Sequence, residues 1–161
     1  MRPRVKRQEV DVSGITWEDI LKKLAYDVQT GTFTQIAHHI ESDDVLNEND
    51  EIVLTKNAPP TIICEGHKSP FVFNKVITAM KKLGMSEYHT YISFCEDAPT
   101  FGRHNDDSDV MIVPVIGTVS YDVEGLGLGN VDLYPGDLLY IPKYCYHAPR
   151  VYGPRATLSF S

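Results

Sequence analysis

Residues 100–117, "TFGRHNDDSDVMIVPVIG", set His104, Asp106, Asp107 and Asp109 directly ahead of a continuous apolar run that ends at Gly117. A short apolar run bounded by a turn signal reads as a buried strand. The polar cluster then stands where a loop meets a rigid wall, a place from which side chains can be aimed inward. In extended chain, side chains alternate, so His104 and Asp106 share one side while Asn105 and Asp107 point away. An imidazole and a carboxylate on one side can meet a single metal ion.

A second segment supplies a third ligand. In "YPGDLLYIPKYCYHAPRV", residues 134–151, Pro135-Gly136-Asp137 reads as a tight turn and Leu138 to Ile141 as a buried strand. Pro142 ends that strand, and His147 follows on the returning segment, where a hairpin brings it beside the strand carrying His104. His104, Asp106 and His147 together make a two-His, one-carboxylate set. Such a set covers one face of an octahedral ion and leaves positions open, an arrangement suited to non-haem Fe(II) oxygenases. A structural zinc site is closed by four protein ligands, so three ligands in a barrel mouth favour catalysis.

Around these segments the pattern is that of one domain, residues 1–161. At 161 residues and 42% hydrophobic content, the chain suits a single core. The runs "YHTYISFC", "VMIVPVIG", "TVSYDVEG", "NVDLYPG", "DLLYIP" and "ATLSFS" are short, evenly spaced strand candidates, the signature of a sandwich or barrel. They place the barrel core in residues 85–161. Residues 15–84 read as supporting helices and strands, and residues 1–14 as a flexible arm. One helix is predicted in "TWEDILKKLAYDVQTG", with Thr16 as N-cap, Trp17, Ile20, Leu21, Leu24 and Val28 at helical spacing, and Gly31 as stop. Another is predicted in "FNKVITAMKKLGM", with Val76, Ile77, Met80 and Leu83 on one face and Gly84 after it. Between them "TFTQIAHHI", "EIVLT" and "TIIC" read as strands, with His38 and His39 structural.

Composition narrows the setting. A formal charge of -7 gives no general attraction for phosphate backbones, which makes nucleic acid a poor partner despite the basic cluster Arg2, Arg4, Lys6 and Arg7. No apolar run reaches membrane-spanning length, and the basic N-terminus lacks the apolar stretch of a secretory signal, so a cytoplasmic location is expected. Three cysteines without C-x-x-C spacing argue against a disulfide framework or a cysteine zinc site.

At "RHNDDSDVMIVPVIGTVSYDV" and "LYPGDLLYIPKYCYHAP" the chain resembles the cupin superfamily, specifically the Jumonji-like Fe(II) and 2-oxoglutarate-dependent oxygenases. The resemblance implies a mainly β, double-stranded β-helix (cupin or jelly-roll) barrel with one or two flanking helices. It also implies Fe(II) at His104, Asp106 and His147, with 2-oxoglutarate and oxygen as co-substrates. The implied reaction is hydroxylation, or oxidative demethylation, of a peptide side chain or small molecule.

The distal carboxylate of 2-oxoglutarate needs a cation inside the barrel. In the Jumonji branch that cation commonly follows the H-x-D segment, yet "GTVSYDV" has no Lys or Arg. Other branches carry an Arg, and two residues later a hydroxyl, on the last strand. Here "GPRATLSFS" offers Arg155, with Thr157 on the same face; Arg103 and Arg150 are rivals, and Tyr91 or Tyr88 a further contact. Asp107 and Asp109 read as solvated carboxylates at the loop edge, or as hydrogen-bond partners of a ligand His, and Cys145 as packing. A metal-dependent cupin enzyme without 2-oxoglutarate, and a non-enzymatic ligand-binding cupin, are the competing readings.

Overall fold

The computed structural model describes residues 1–30, 33–37, 61–65, 70–98, 100–127 and 129–161. His38, His39 and the predicted strand 51–55 lie outside them. The elements are β1 (Arg4–Lys6), α1 (Trp17–Thr30), β2 (Phe33–Ala37), β3 (Thr61–Glu65), a 3-10 turn (Pro70–Phe73) and α2 (Asn74–Lys81). They continue with β4 (Tyr88–Ser93), β5 (Val110–Ile116), β6 (Val119–Val123), β7 (Val131–Leu133), β8 (Leu138–Ile141), β9 (His147–Val151) and β10 (Arg155–Phe160). Among the described residues no helix is long and apolar enough to cross a membrane.

Two antiparallel sheets face each other. The larger runs β1-β8-β5-β10-β4-β3-β2 and the smaller β7-β6-β9, the sandwich expected from the strand spacing and consistent with the double-stranded β-helix that the resemblance implies. Strand alternation divides the core in two. Val110, Ile112, Leu139 and Ile141 from the larger sheet meet Val119, Tyr121, Val123 and Leu133 from the smaller. On the outer face of the larger sheet, Val113, Val115, Ile92, Leu158 and Phe160 pack beneath Ile20 of α1 and Val76, Ile77 and Met80 of α2. Pro114 sits within a central strand, where a missing N–H is normally excluded. It is accommodated by a register shift: Thr157 pairs with Pro114 but Ala156 with Ile116, and Val115 and Ile116 both join the outer cluster.

Both predicted helices form, with different ends and faces from those expected. Thr16 caps α1 through a reciprocal pair: the Asp19 amide donates to Thr16 Oγ1, and the Thr16 amide to Asp19 Oδ2. Leu21, assigned to the buried stripe, is 55% exposed. In α2 the stripe ends at Met80. Leu83 lies past the helix and is exposed, because Gly84, at φ +87°, turns the chain so that the Met85 amide donates to the Met80 carbonyl and Met85 is buried instead.

Residues 1–14 are not a free arm. Arg4, Val5 and Lys6 pair with Tyr140, Leu139 and Leu138, and the Val10 amide donates to the Gly136 carbonyl. The physical reason is Asp137. This carboxylate, 1% exposed, accepts from the Gln8 amide at 3.0 Å, the Tyr134 amide at 3.0 Å and Arg7 Nη1 at 2.6 Å. Gly136, at φ +90°, lets the two segments approach, since a Cβ there would lie 2.9 Å from the Val10 carbonyl oxygen.

Burial alone would push the Asp137 carboxyl up, but the Tyr134 and Gln8 amides and the Arg7 guanidinium outweigh it and hold it below the ordinary carboxylate value. Asp137→Ala is therefore expected to cost about 1 to 3 kcal/mol in urea unfolding at neutral pH, the scale for leaving hydrogen-bond donors without their charged acceptor, since the Arg7 partner itself is half exposed. A depressed carboxyl stabilises above its unfolded pKa of about 3.9 and loses that contribution as pH falls through the lower folded value. The difference between the proteins should stay constant above pH of about 5 and narrow in stronger acid.

Candidate active site

A backbone bridge carries the site. The His104 amide donates to the His147 carbonyl at 2.9 Å and the His147 amide to the His104 carbonyl at 2.8 Å, which ties the loop before β5 to the first residue of β9. Two residues on, the Tyr144 amide donates to the Asp106 carbonyl at 2.7 Å. These bonds fix where the three candidate ligands start, and the loop between them lets the three side chains converge.

The imidazoles lie with ring centroids 4.3 Å apart, and Asp106 Oδ2 is 3.5 Å from His147 Nε2. One ligand atom from each of His104, Asp106 and His147 lies within 4.8 Å of the others. Each Nδ1 stands 3.1 Å from a carbonyl oxygen, that of Gly102 for His104 and of Cys145 for His147. A carbonyl only accepts, so both Nδ1 atoms carry the proton and both Nε2 lone pairs are left for a ligand. Burial pushes the His147 pKa down, helped by neighbouring His104 and opposed by the Cys145 carbonyl and Asp106, which keeps the ring neutral. Two imidazoles with their Nε2 atoms turned inward and a carboxylate, aimed at a common point, fit a divalent transition-metal ion with coordination positions to spare.

These residues open into a cavity of about 510 Å³ between the two sheets, and Arg155 lies in the same cavity wall. Its side chain is 1% exposed, and burial pulls its pKa down from the ordinary value, against the opposing influence of the nearby phenols of Tyr121 and Tyr91. Nε donates to Ser93 Oγ at 3.3 Å and Nη1 to Thr157 Oγ1 at 3.0 Å, and the Tyr121 phenol lies beside the guanidinium. Ser93 Oγ in turn pairs with Thr61 Oγ1 at 2.9 Å. Every one of these partners is a neutral hydroxyl, and no salt bridge to Arg155 exists among the described residues. A guanidinium has five N–H donors in a fork suited to carboxylates. A buried guanidinium whose described partners are all hydroxyls keeps its positive charge uncompensated by any described carboxylate, and its fork suits an anionic group.

Tyr91 and Tyr121 flank this site. Burial pushes both phenols upward, with Asp106 adding to the effect on each, so both stay protonated donors at any working pH. Phe101 stands edge-on to both Tyr91 and His104, at centroid distances of 6.5 and 5.9 Å, and completes the wall on that side.

Of the residues singled out in the sequence, His104, Asp106, His147, Arg155 and Tyr91 line one cavity. Thr157 is fully buried and acts as acceptor for Arg155 rather than as part of the cavity lining. Tyr88 packs in the outer core against Phe73 and Phe160. The rival cations are elsewhere: Arg103 pairs with Asp122 at 3.2 Å and lies over the Tyr146 ring, and Arg150 is exposed on β9. Asp107 is exposed but does line the cavity mouth, because residues 105–109 are loop rather than extended strand. Cys145 is no reactive thiol, as burial and Glu124 raise its pKa. Sequence reasoning missed Tyr121, Ser93 and Thr61 as partners around the cation. Tyr121 carried a usable signal, since alternation along Val119–Val123 turns it inward with two apolar neighbours.

No protein-family model matches the chain and no curated protein matches it in sequence. Solved structures do share its fold. A ribosomal oxygenase from Escherichia coli, YcfD, superposes with a TM-score of 0.68 at 19% identity over 99% of this chain and 48% of its own. The same protein in complex with cobalt and 2-oxoglutarate gives a TM-score of 0.61 at 17% identity over 99% and 48%. The chain thus spans about half the length of these structures, and what the likeness shows is a shared fold.

Gly117, in the turn between β5 and β6, has φ +70°, and a Cβ there would collide with the Pro154 carbonyl and press on the Arg155 backbone. Gly14, at φ +82°, faces open space. Gly14→Ala should therefore cost only the left-handed backbone term of about 1 to 2 kcal/mol. Gly117→Ala should cost more, by about 1 to 3 kcal/mol, in thermal unfolding, because it adds overpacking where the final strand begins.

Proposed function

We propose that the protein is an Fe(II)- and 2-oxoglutarate-dependent oxygenase that hydroxylates, or demethylates by way of hydroxylation, a peptide side chain or small molecule. The observation that carries this reading is Arg155: a buried guanidinium, held among the described residues by neutral hydroxyls, in the wall of the cavity that also contains the two-His, one-carboxylate set. A metal site and an anion site sharing one pocket suit a co-substrate that has a chelating end and a distal carboxylate. The likeness to an oxygenase solved with cobalt and 2-oxoglutarate supports the same assignment.

When bound, iron(II) with 2-oxoglutarate and oxygen supplies an oxidising reaction in which one oxygen atom enters a substrate C–H bond and the co-substrate leaves as succinate and carbon dioxide. The chain's own contribution is placement. The Gly102 and Cys145 carbonyls hold His104 and His147 with Nε2 directed inward, and Asp106 adds the one negative charge of the ligand set. Arg155 grips the distal carboxylate, with Ser93, Thr157 and Tyr121 fixing the plane of its fork. Tyr91 and Tyr121 hold their protons and offer donors to an anionic ligand. The apolar floor of Val110 and Ile112 keeps bulk water from the reacting centre.

The lack of Lys or Arg on β6 favours one competing reading, a metal-dependent cupin that activates its substrate directly. Turnover separates the two. With Fe(II) and oxygen, purified protein should convert 2-oxoglutarate slowly to succinate without added substrate. Arg155→Lys keeps the charge but loses the planar fork, and should weaken 2-oxoglutarate binding in anaerobic calorimetry by about 1 to 3 kcal/mol. Unchanged affinity moves the clamp away from Arg155, and no binding at all to the metal-loaded protein transfers the function to the direct-activation reading.

Ligand loss gives a second prediction. His147→Ala or Asp106→Ala should abolish metal-dependent turnover yet leave the far-ultraviolet circular dichroism of a folded sheet protein, because both core clusters form without the metal ligands. Full activity in either variant removes the set from the mechanism.

A further inference from the structure

Asp109 lies three residues beyond Asp106, in a loop whose charge reads as solvated. Its carboxylate is fully engaged instead. Oδ2 accepts from the Tyr140 hydroxyl at 2.9 Å, and Oδ1 accepts from the Lys143 amide at 3.0 Å. Both donors belong to the end of β8 and the turn that follows it, the segment leading to His147. The Tyr140 side of this arrangement is itself held: the residue is 5% exposed, and the Arg4 guanidinium lies 5.4 Å from its ring centroid.

The neighbouring ties show what this carboxylate controls. Tyr144, next to Lys143, has φ +62°, a conformation that costs a bulky residue energy and persists only when its surroundings impose it. From that conformation its amide donates to the Asp106 carbonyl. Asp109 holds the preceding amide, so the left-handed turn is gripped at two successive N–H groups, one by the ligand-bearing loop's backbone and one by its side chain. The bonds between His104 and His147 are backbone only and exist for any side chain. Asp109 is the residue-specific tie between the loop carrying Asp106 and the turn leading to His147.

We infer that Asp109 is a positioning residue for the metal set, holding the Asp106 loop against the Lys143–Tyr144 turn so that Asp106 and His147 converge. This rests on the reading of His104, Asp106 and His147 as metal ligands, and the experiment is arranged so that the two fail differently. Cobalt(II) is titrated into metal-free wild-type, Asp109→Ala, Asp109→Asn and Tyr140→Phe proteins, following the visible cobalt absorption and heat of binding. Amide hydrogen exchange at Tyr144 is measured in the metal-free forms.

Asp109→Ala should raise the cobalt dissociation constant by about 10- to 100-fold, the scale for losing a group that orients ligands, and speed exchange at Tyr144. Asp109→Asn should stay close to wild type, because its carboxamide oxygen still accepts from Lys143 and its N–H can donate to the Tyr140 oxygen. Tyr140→Phe should fall between, about 2- to 10-fold weaker, for one lost hydrogen bond. A merely structural role lowers the melting temperature of the metal-free protein while cobalt affinity, measured far below melting, stays at the wild-type value; that outcome overturns the inference. If Asp109→Ala does not fold, Tyr140→Phe decides, with unchanged cobalt affinity again overturning it. Wild-type protein that takes up no cobalt overturns the metal reading itself.

Discussion

Two backbone hydrogen bonds between His104 and His147 carry the architecture of the site. They join a loop that enters the larger sheet to a strand of the smaller one, and so close the mouth of the sandwich where its walls would otherwise part. Because they are main-chain bonds, they bring the two residues opposite each other whatever the side chains are. Chemistry enters through what is hung on them: two imidazoles whose Nδ1 atoms face carbonyls, and a carboxylate two positions along. The site is therefore as rigid as the sheet, which is what a set of metal ligands requires.

In the same cavity the electrostatics around Arg155 are set by the lack of a carboxylate partner among the described residues. A surface guanidinium would be satisfied by water; this one is surrounded by hydroxyls and by phenols that burial keeps protonated. Neutral acceptors fix the fork's orientation without cancelling its charge, so its field stays available to a ligand. Had Asp122, which instead pairs with exposed Arg103, reached the lumen, the cation would have been neutralised. The inward-outward alternation of β6 decides this, as Tyr121 faces in and Asp122 out.

The readable part of the chain was its short-range part. The Pro-Gly-Asp turn and the alternation of Arg155 with Thr157 follow from local geometry within a few residues, whereas His104 and Asp106 converge from a loop in which Asp107 reaches the cavity as well. What escaped depends on pairs far apart in sequence. Nothing near Arg4 announces that Leu138–Tyr140 will be its partner, and Asp137 looks like an ordinary turn residue until Arg7 and Gln8 are seen against it. Asp109 escaped for the same reason, its donors being Tyr140 and Lys143. Leu21 and Leu83 fitted a helical stripe by spacing, but a three-residue period cannot tell where the sheet beneath stops or where a glycine turns the chain away.

The position of β10 bears on how the protein comes to be folded. This strand, last of those described, lies between β5 and β4 near the middle of the larger sheet, and pairs with both. A chain synthesised from its N-terminus can form the β5–β8 ladder, and the β3–β4 pair with its helices, as separate halves. It cannot join them until Arg155–Phe160 has left the ribosome. Until then the nascent halves expose the edges of β4 and β5, a state open to wrong pairing. The strand that ends that exposure begins with Arg155, so closing the core and delivering the buried cation to the cavity are one event in the life of the chain.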